Sequence, residues 1–168
     1  EPHTWRAVAR PMRLPRLDEK TISILLPCPA ATKAMPMLHH LSFGVTDLRR
    51  STDFYDAALA PLGYKRVWTD FEGDPDTHAV GYGEAGGGDK LALKQMAAAT
   101  LAPGPGFHLA FSAPSREAID RFHEAALARG GTDNGAPGLR PDYGPHYYAA
   151  FVIDPDGFHI EAVINAEA

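Results

Sequence analysis

The fold is decided by the stretch YYAAFVIDPDGFHIEAV, which runs from Tyr147 to Val163. Its centre, DPDG at 154–157, combines an aspartate, a proline and a glycine in the order that favours a tight turn. Both flanks are rich in β-branched, aromatic and small apolar residues, which is typical of strands. The stretch therefore predicts a β-hairpin. Its second strand carries one carboxylate, Glu161, which needs a cation, an arginine or a metal if it is buried.

The chain also repeats itself. A shift of 68 residues (108 − 40) places His40 over His108, and the alignment continues without a gap until Gly63 lies over Gly131. The matches include aromatic residues at 43 and 111 and the run AALA at 57–60 and 125–128. Self-similarity over this length predicts two copies of one supersecondary unit.

Each copy begins with a strand of alternating apolar and small or polar residues, followed by a helix. Asp47 and Ser115 are the predicted N-caps, and the helices should end at glycines, the first at Gly63 and the second at Gly130 or Gly131. Three more strands are predicted at 64–68, 77–82 and 90–96 in the first copy. In the second copy a weak strand at 132–134 and a loop at 135–145 precede the hairpin. The fold class is therefore α+β, with tandem βαβββ modules whose sheets form a cupped mixed β-sheet cavity and whose helices cover the outer face.

The first 36 residues differ from the rest, because prolines interrupt them and arginines cluster there. We interpret residues 1–36 as an N-terminal appendage, either a presequence or other upstream sequence. The domain is predicted at 37–168, with modules at 37–98 and 106–168.

Composition excludes several classes of protein. The net charge of −5 and the pI of about 5.9 argue against nucleic-acid binding. No apolar run is long enough to span a bilayer, so no membrane partner is expected. The single cysteine, Cys28, excludes an intrachain disulfide and favours a reducing, cytoplasmic location.

The chemistry-bearing residues fall on one side of the strands. His40 and His108 occupy equivalent places on the face that points away from the helices, and strand parity puts Glu161 on that face too if Ile160 packs on the helices. Two imidazoles and one carboxylate from three strands form a facial triad for one divalent metal ion, with positions left for substrate. With a net charge of about +1, such a site favours anionic or chelating oxygen ligands.

These motifs resemble the vicinal oxygen chelate superfamily, which includes glyoxalases, fosfomycin-resistance enzymes, bleomycin-resistance proteins and extradiol dioxygenases. The resemblance covers residues 38–164 and rests on LHHL at 38–41, VTD at 45–47, FHLAF at 107–111 and DPDGFHIE at 154–161. It implies metal ligands at His40, His108 and Glu161, a metal that is Zn, Ni, Mn or Fe, and a homodimer. The resemblance implies that the two sheets that form one cavity belong either to one chain or to two chains, and the sequence leaves that choice open.

One departure from the resemblance is informative. Glyoxalase-type members carry a fourth ligand in the last strand of the first module, and matching that strand to the one with Glu161 places Ala92 there. Alanine cannot coordinate a metal. Three ligands are closer to the fosfomycin-resistance and dioxygenase pattern than to lactoylglutathione lyase.

Further residues are candidates for catalysis and for substrate contact. Tyr147 is a candidate hydrogen-bond donor or general acid, or else a packing aromatic at the mouth of the cavity. His78 is a second catalytic candidate if it faces the cavity with Val80. Arg140 is a candidate carboxylate ligand, or else a solvated loop residue. The predicted substrate-contact residues are Trp68, Tyr82, Lys94, Arg140, His146, Phe151 and His159.

The leading functional hypothesis is a metal-dependent glyoxalase-like enzyme of lyase, isomerase or transferase type, which activates a small oxygen-bearing substrate by Lewis-acid chemistry. The first alternative is an Fe(II) extradiol ring-cleavage dioxygenase, for which His78, His146 and Tyr147 offer acid–base groups. The second is a non-catalytic small-molecule binding or resistance protein, against which the retained ligands argue.

Overall fold

The computed structural model describes residues 38–97 and 106–166, and within Pro36–Ala168 it forms one compact unit. Two modules follow each other along the chain, each with one helix and four strands. The first contains β1 (Leu41–Val45), α1 (Leu48–Leu59), β2 (Tyr64–Asp70), β3 (Ala79–Glu84) and β4 (Leu91–Gln95). The second contains β5 (Leu109–Ser112), α2 (Arg116–Ala128), β6 (Thr132–Leu139), β7 (Tyr147–Ile153) and β8 (His159–Asn165). The predicted tandem βαβββ architecture is confirmed, whereas the predicted appendage at 1–36 lies outside the described residues.

The helices begin where the sequence predicts. The Asp47 carboxylate accepts a hydrogen bond from the backbone N–H of Arg50 at 3.1 Å, and Ser115 accepts one from that of Ala118 at 3.2 Å. Each cap satisfies a backbone donor that has no partner within the helix. The first helix continues into a short 3₁₀ turn and stops at Gly63, whose φ of +89° suits glycine. None of the helices in the described ranges is long and apolar enough to cross a membrane.

Each module forms its own four-stranded sheet, with the orders β1-β4-β3-β2 and β5-β8-β7-β6. In both sheets the opening strand lies at an edge and pairs in parallel with the closing strand of the module. This pairing sets Ser42 beside Ala92 in the first sheet and Ala110 beside Glu161 in the second. The two sheets are therefore built alike, position by position.

Each sheet buries one face against the helices. Val45, Phe54, Phe122 and Ile160 are fully or almost fully buried in this shared core. We call the other side of each sheet its open face. The open face of the first sheet carries Ser42, Ala92, Gly81 and Trp68 in register, and that of the second carries Ala110, Glu161, Phe151 and Gly135.

The prediction for β6 was too short. The strand runs to Leu139 through residues assigned to a loop, with irregular pairing at Gly135 and again before Gly138. β6 is an edge strand, so Pro137 can occupy it even though proline has no N–H to donate. The two irregularities absorb the glycines and the proline without ending the strand.

The turn at 154–157, which we call the DPDG turn, joins the second module to the first. The Asp156 carboxylate, whose side chain is 1% exposed, accepts hydrogen bonds from the backbone N–H and the hydroxyl of Thr46 at 3.0 and 2.6 Å, and from the Ser51 hydroxyl at 2.7 Å. Arg50 also donates to it at 2.7 Å. This carboxylate lies at the start of α1, which has no acidic residue in its own first turn.

The neighbouring aspartate completes the contact. Asp154 accepts a hydrogen bond from the buried hydroxyl of Tyr55 in α1 at 2.7 Å. Within the turn it also accepts hydrogen bonds from the backbone N–H groups of Asp156 and Phe158. Burial raises the pKa of Asp154, although these donors oppose the shift. One turn of the second module is thus held to the first helix by two buried carboxylates.

We expect Asp156→Ala to lower the free energy of unfolding by about 1–3 kcal/mol, because the buried Ser51 hydroxyl and the two donors of Thr46 would lose their acceptor. The half-exposed Arg50 should add little. Urea denaturation measures the effect, with Asp53→Ala as control, since Asp53 is exposed on the same helix. An equal loss in the two variants would contradict the role of Asp156.

The same substitution should show a pH dependence. Burial alone would raise the pKa of Asp156, but the hydrogen bonds from Thr46 and Ser51 and the charge of Arg50 hold it below its usual value. The stability that Asp156 contributes is therefore present above the unfolded-state pKa and is lost as the pH falls through the folded-state pKa. The difference in the free energy of unfolding between wild type and Asp156→Ala should therefore decrease below about pH 4.

Candidate metal centre

The second module brings two of the three predicted ligands together. His108 precedes β5 and Glu161 lies in β8, and the parallel pairing of these strands sets His108 Nε2 3.4 Å from Glu161 Oε2. The Glu161 side chain is 2% exposed, whereas that of His108 is 58% exposed. A buried carboxylate thus lies next to an imidazole that remains accessible from the open face.

Tyr147 supports this carboxylate. Its hydroxyl donates a hydrogen bond to Glu161 Oε1 at 2.6 Å, from β7 to the adjacent strand β8. Burial and this hydrogen bond to Glu161 raise the pKa of Tyr147. The phenol therefore keeps its proton at neutral pH and acts as a donor, while Oε2 remains directed to His108.

His40 does not lie with His108 and Glu161 in the structure of one chain. It is exposed, just before β1, and its Nδ1 lies 2.9 Å from Nδ1 of His39, so one of the two rings donates to the other. Its surroundings are a mostly apolar cavity of about 260 Å³ that is bordered by β5 and by the ends of β3 and β4. Neither His108 nor Glu161 lines that cavity. In residues 38–97 and 106–166, no three His, Cys, Asp or Glu side chains come close enough together to hold one metal ion.

The register explains why the first module offers a single ligand. Ala92 is paired with Ser42 as Glu161 is paired with Ala110, and the shift of 68 residues relates Ser42 to Ala110. Ala92 therefore stands where the second module has its carboxylate. By the same relation, His40 corresponds to His108 but has no acidic neighbour on the closing strand.

Two predicted site residues lie on the helix-covered side of the first sheet rather than on its open face. Tyr82 lies in the core with 1% of its surface exposed, and its hydroxyl donates a hydrogen bond of 3.0 Å to Asp56 in α1. His78 precedes β3, shares the parity of Tyr82 and packs edge-on against Phe71 with ring centroids 5.5 Å apart. The prediction that both lie on the open face was wrong, because Gly81 and not Tyr82 shares that face with Ala92.

Five of the other predicted contact residues do lie on an open face or beside it, namely Lys94, Trp68, Phe151, Arg140 and His159. Lys94 has the parity of Ala92 and is exposed, while Trp68 lies over Gly81 so closely that a Cβ atom there would overlap the indole. On the second sheet, Phe151 pairs with Glu161, and the Arg140 guanidinium lies over the Phe151 ring. His159 opens β8, with Nδ1 3.3 Å from the Asn134 amide, and His146 lies in the turn before β7.

Sequence reasoning missed the small residues that make room for these side chains. Gly81 lies beneath Trp68, and Gly135 and Gly138 lie beneath Phe151 and Arg140. The available signal was a glycine inside a strand, which often marks the close approach of another group.

The family of the chain follows from this fold and a comparison with known families. The model of the Glyoxalase/Bleomycin resistance protein/Dioxygenase superfamily matches residues 37–162. The chain belongs to this superfamily. A search of curated proteins finds no significant match.

Solved structures of the same superfamily are similar. A glyoxalase/bleomycin resistance protein from Albidiferax ferrireducens T118 is 32% identical, with a TM-score of 0.59 over 76% of this chain and 98% of that one. A glyoxalase-related enzyme from Fulvimarina pelagi is 21% identical, with a TM-score of 0.58 over 78% and 89%. A glyoxalase I mutant from Zea mays is 24% identical, with a TM-score of 0.57 over 75% of this chain and 46% of that one. The last two support the fold alone.

We expect Tyr147→Phe to lower the free energy of unfolding by about 1–3 kcal/mol, because the buried Glu161 carboxylate would lose a hydrogen-bond donor. Tyr148→Phe is the matched control, since its hydroxyl donates to the carboxylate of Asp120 at 2.7 Å on the other side of the sheet, near the surface. The Tyr148→Phe variant should change the free energy of unfolding by no more than about 0.5 kcal/mol. Equal losses measured by urea denaturation would contradict the support of Glu161 by Tyr147.

Proposed function

We propose that the protein is a homodimeric metalloenzyme in which one divalent ion is held by His108 and Glu161 of one protomer and the partner's His40. The observation that carries the proposal is the pairing of His108 Nε2 with the buried Glu161 carboxylate at 3.4 Å. Two metal ligands about 2.1 Å from a tetrahedral ion lie ~3.4 Å apart. The donor set also suits zinc, nickel, manganese or iron, which bind imidazole and carboxylate together.

The need for a second chain follows from the distribution of ligands. Each open face supplies part of a triad, two ligands from the second sheet and one from the first, and the triad is not assembled within the described part of one chain. In a symmetric dimer, the first sheet of one protomer can face the second sheet of the other, and the same contact then occurs twice. His40 suits this role, because its Nδ1 is engaged with His39 and its Nε2 is the ring atom that can coordinate.

The proposed reaction belongs to the glyoxalase-like group, with a small oxygen-bearing substrate. The chemistry supplied by the bound ion is Lewis-acid polarisation of a substrate oxygen. The chain itself fixes Glu161 through Tyr147, leaves the position of Ala92 without a ligand, and lines the two open faces with Trp68 and Phe151. With alanine at position 92, a bound ion would keep a coordination position open for a substrate oxygen.

A ring-cleaving dioxygenase is the second candidate, and the position of Tyr147 favours it. Ring cleavage needs an acid–base group close to the triad, and the Tyr147 hydroxyl lies next to Glu161. The identity of the metal separates the two reactions. Stoichiometric iron with oxygen uptake on catechols supports the dioxygenase, whereas nickel, manganese or zinc supports the glyoxalase-like enzyme.

We expect His108→Ala to reduce the metal content of protein purified without a histidine tag from about one ion per chain to a small fraction of that, because one of three ligands is lost. Elemental analysis by mass spectrometry measures the content. His159→Ala is the matched control, since His159 lies on the same sheet but contacts Asn134, and it should retain its metal.

Circular dichroism should show the same fold in both variants. Full metal content in His108→Ala would contradict the proposal. Tight binding of a planar ligand by wild-type protein that takes up no metal at any loading would instead support a non-catalytic binding protein.

A further inference from the structure

Arg140 follows β6 and folds back over the open face of the second sheet. Its guanidinium carbon lies 5.5 Å from the centre of the Phe151 ring, within the range of a cation–π contact. Its two terminal nitrogens donate to backbone carbonyls, Nη2 to Ala136 at 2.6 Å and Nη1 to Leu139 at 3.3 Å. An arginine that could be solvated in a loop is therefore held against the sheet.

The glycines of β6 make this position possible. A Cβ atom at Gly138 would lie 3.0 Å from Arg140 Nη1, and one at Gly135 would lie 3.0 Å from Phe151 Cδ2 and 3.6 Å from Arg140 Nη2. Gly135 also has a φ of +149°, which favours glycine. Because Gly135 and Gly138 have no side chains, they leave a flat space in which the guanidinium lies over the Phe151 ring. We call this space the seat of Arg140.

Arg140 has no acidic partner among the residues that the structure describes. Within residues 38–97 and 106–166, Arg50 and Arg66 form ion pairs with Asp156 and Asp56, whereas Arg140 forms none. The two carbonyl contacts leave part of its fork of N–H donors available. Because the side chain is already ordered, little conformational entropy is lost when an anion binds.

The position of Arg140 relates it to the candidate metal centre. It lies over Phe151, and Phe151 is the cross-strand partner of Glu161. A guanidinium fork matches the geometry of a carboxylate or of two oxygens of a phosphonate. The seat, the unpaired charge and the shared face all point to a ligand with an anionic oxygen group.

We propose that Arg140 is a specificity-determining residue that selects substrates carrying an oxyanion, a carboxylate or a phosphonate, at the end away from the metal. The proposal rests on the proposed function for the neighbouring metal, but anion recognition by Arg140 does not require the metal to be bound. The substrate class is thus a small molecule with one oxygen centre for the ion and a separate anionic group for Arg140.

The test compares charged and neutral probes of the same shape. Benzoate, phenylphosphonate and the neutral benzamide are titrated into the 168-residue chain after metal removal by a chelator, and binding is followed by NMR. Wild-type protein should bind at least one of the two anions about tenfold more tightly than benzamide, as expected for a charge-assisted hydrogen bond. Preference for benzoate or for phenylphosphonate then identifies the anion. Arg140→Gln should remove the preference while leaving benzamide binding unchanged.

Arg116→Gln is the matched control. Arg116 lies over the ring of Tyr148 at 5.3 Å, on the helix side of the same strand, so the variant removes an equivalent contact from the other face. It should keep the anion preference. Equal binding of anions and benzamide by wild type, or an unchanged preference in Arg140→Gln, would overturn the proposal.

Metal content is measured on separate samples prepared without chelator. Arg140→Gln should retain the metal content of wild type, because Arg140 is not a ligand. If wild type fails to bind metal but Arg140→Gln loses the anion preference, the metal proposal fails and the role of Arg140 stands. If metal binds and no anion preference exists, the role of Arg140 fails alone.

Discussion

The parallel pairing of the first and last strands of each module is the constraint on which the rest of the structure depends. It places the residue two positions after each histidine beside a defined residue of the closing strand: Ser42 beside Ala92 in the first sheet, and Ala110 beside Glu161 in the second. Because the two modules share this register, a difference at one equivalent position, Ala92 in the first and Glu161 in the second, makes them chemically different. The second module carries a histidine–carboxylate pair, and the first carries a histidine alone.

The contact between the modules fixes how these two open faces are presented. The DPDG turn holds the start of α1 through Asp156 and the middle of that helix through Asp154. Further contacts across the same boundary are Phe43 against Phe158, with ring centroids 4.2 Å apart, and the Tyr64 hydroxyl on the carbonyl of Ser112. The modules thus pack through their helices and strand ends, and each open face remains directed away from the shared core.

The sequence predicted the architecture well because its strongest signals are local and repeated. Asp47 and Ser115 were identified as caps by residue type and position, and the alternation around Phe43 and Phe111 identified the buried side of the edge strands. The side of β3 was assigned wrongly, because His78 and Tyr82 were judged by their chemistry rather than by the pairing of Gly81 with Ala92. Pairing across strands is a long-range property that no local pattern reveals.

The site was predictable in part for the same reason. Strand parity places Glu161 and Tyr147 on one face, and they are joined there by a 2.6 Å hydrogen bond. The seat of Arg140 was not predictable, because it depends on the irregular pairing of β6 and on what lies over two glycines. The metal, the dimer and the cytoplasmic location stay predictions.

The most direct test of the shared centre is metal binding by mixed dimers. His40→Ala and His108→Ala are each purified without metal-binding capacity, then dissociated together in mild denaturant and reassembled with metal present. If each centre takes His40 from one chain and His108 with Glu161 from the other, a mixed dimer contains one intact centre, and random mixing restores about a quarter of the wild-type metal content. A mixture that forms mixed dimers but binds no more metal than the separate variants would contradict a centre shared between two chains.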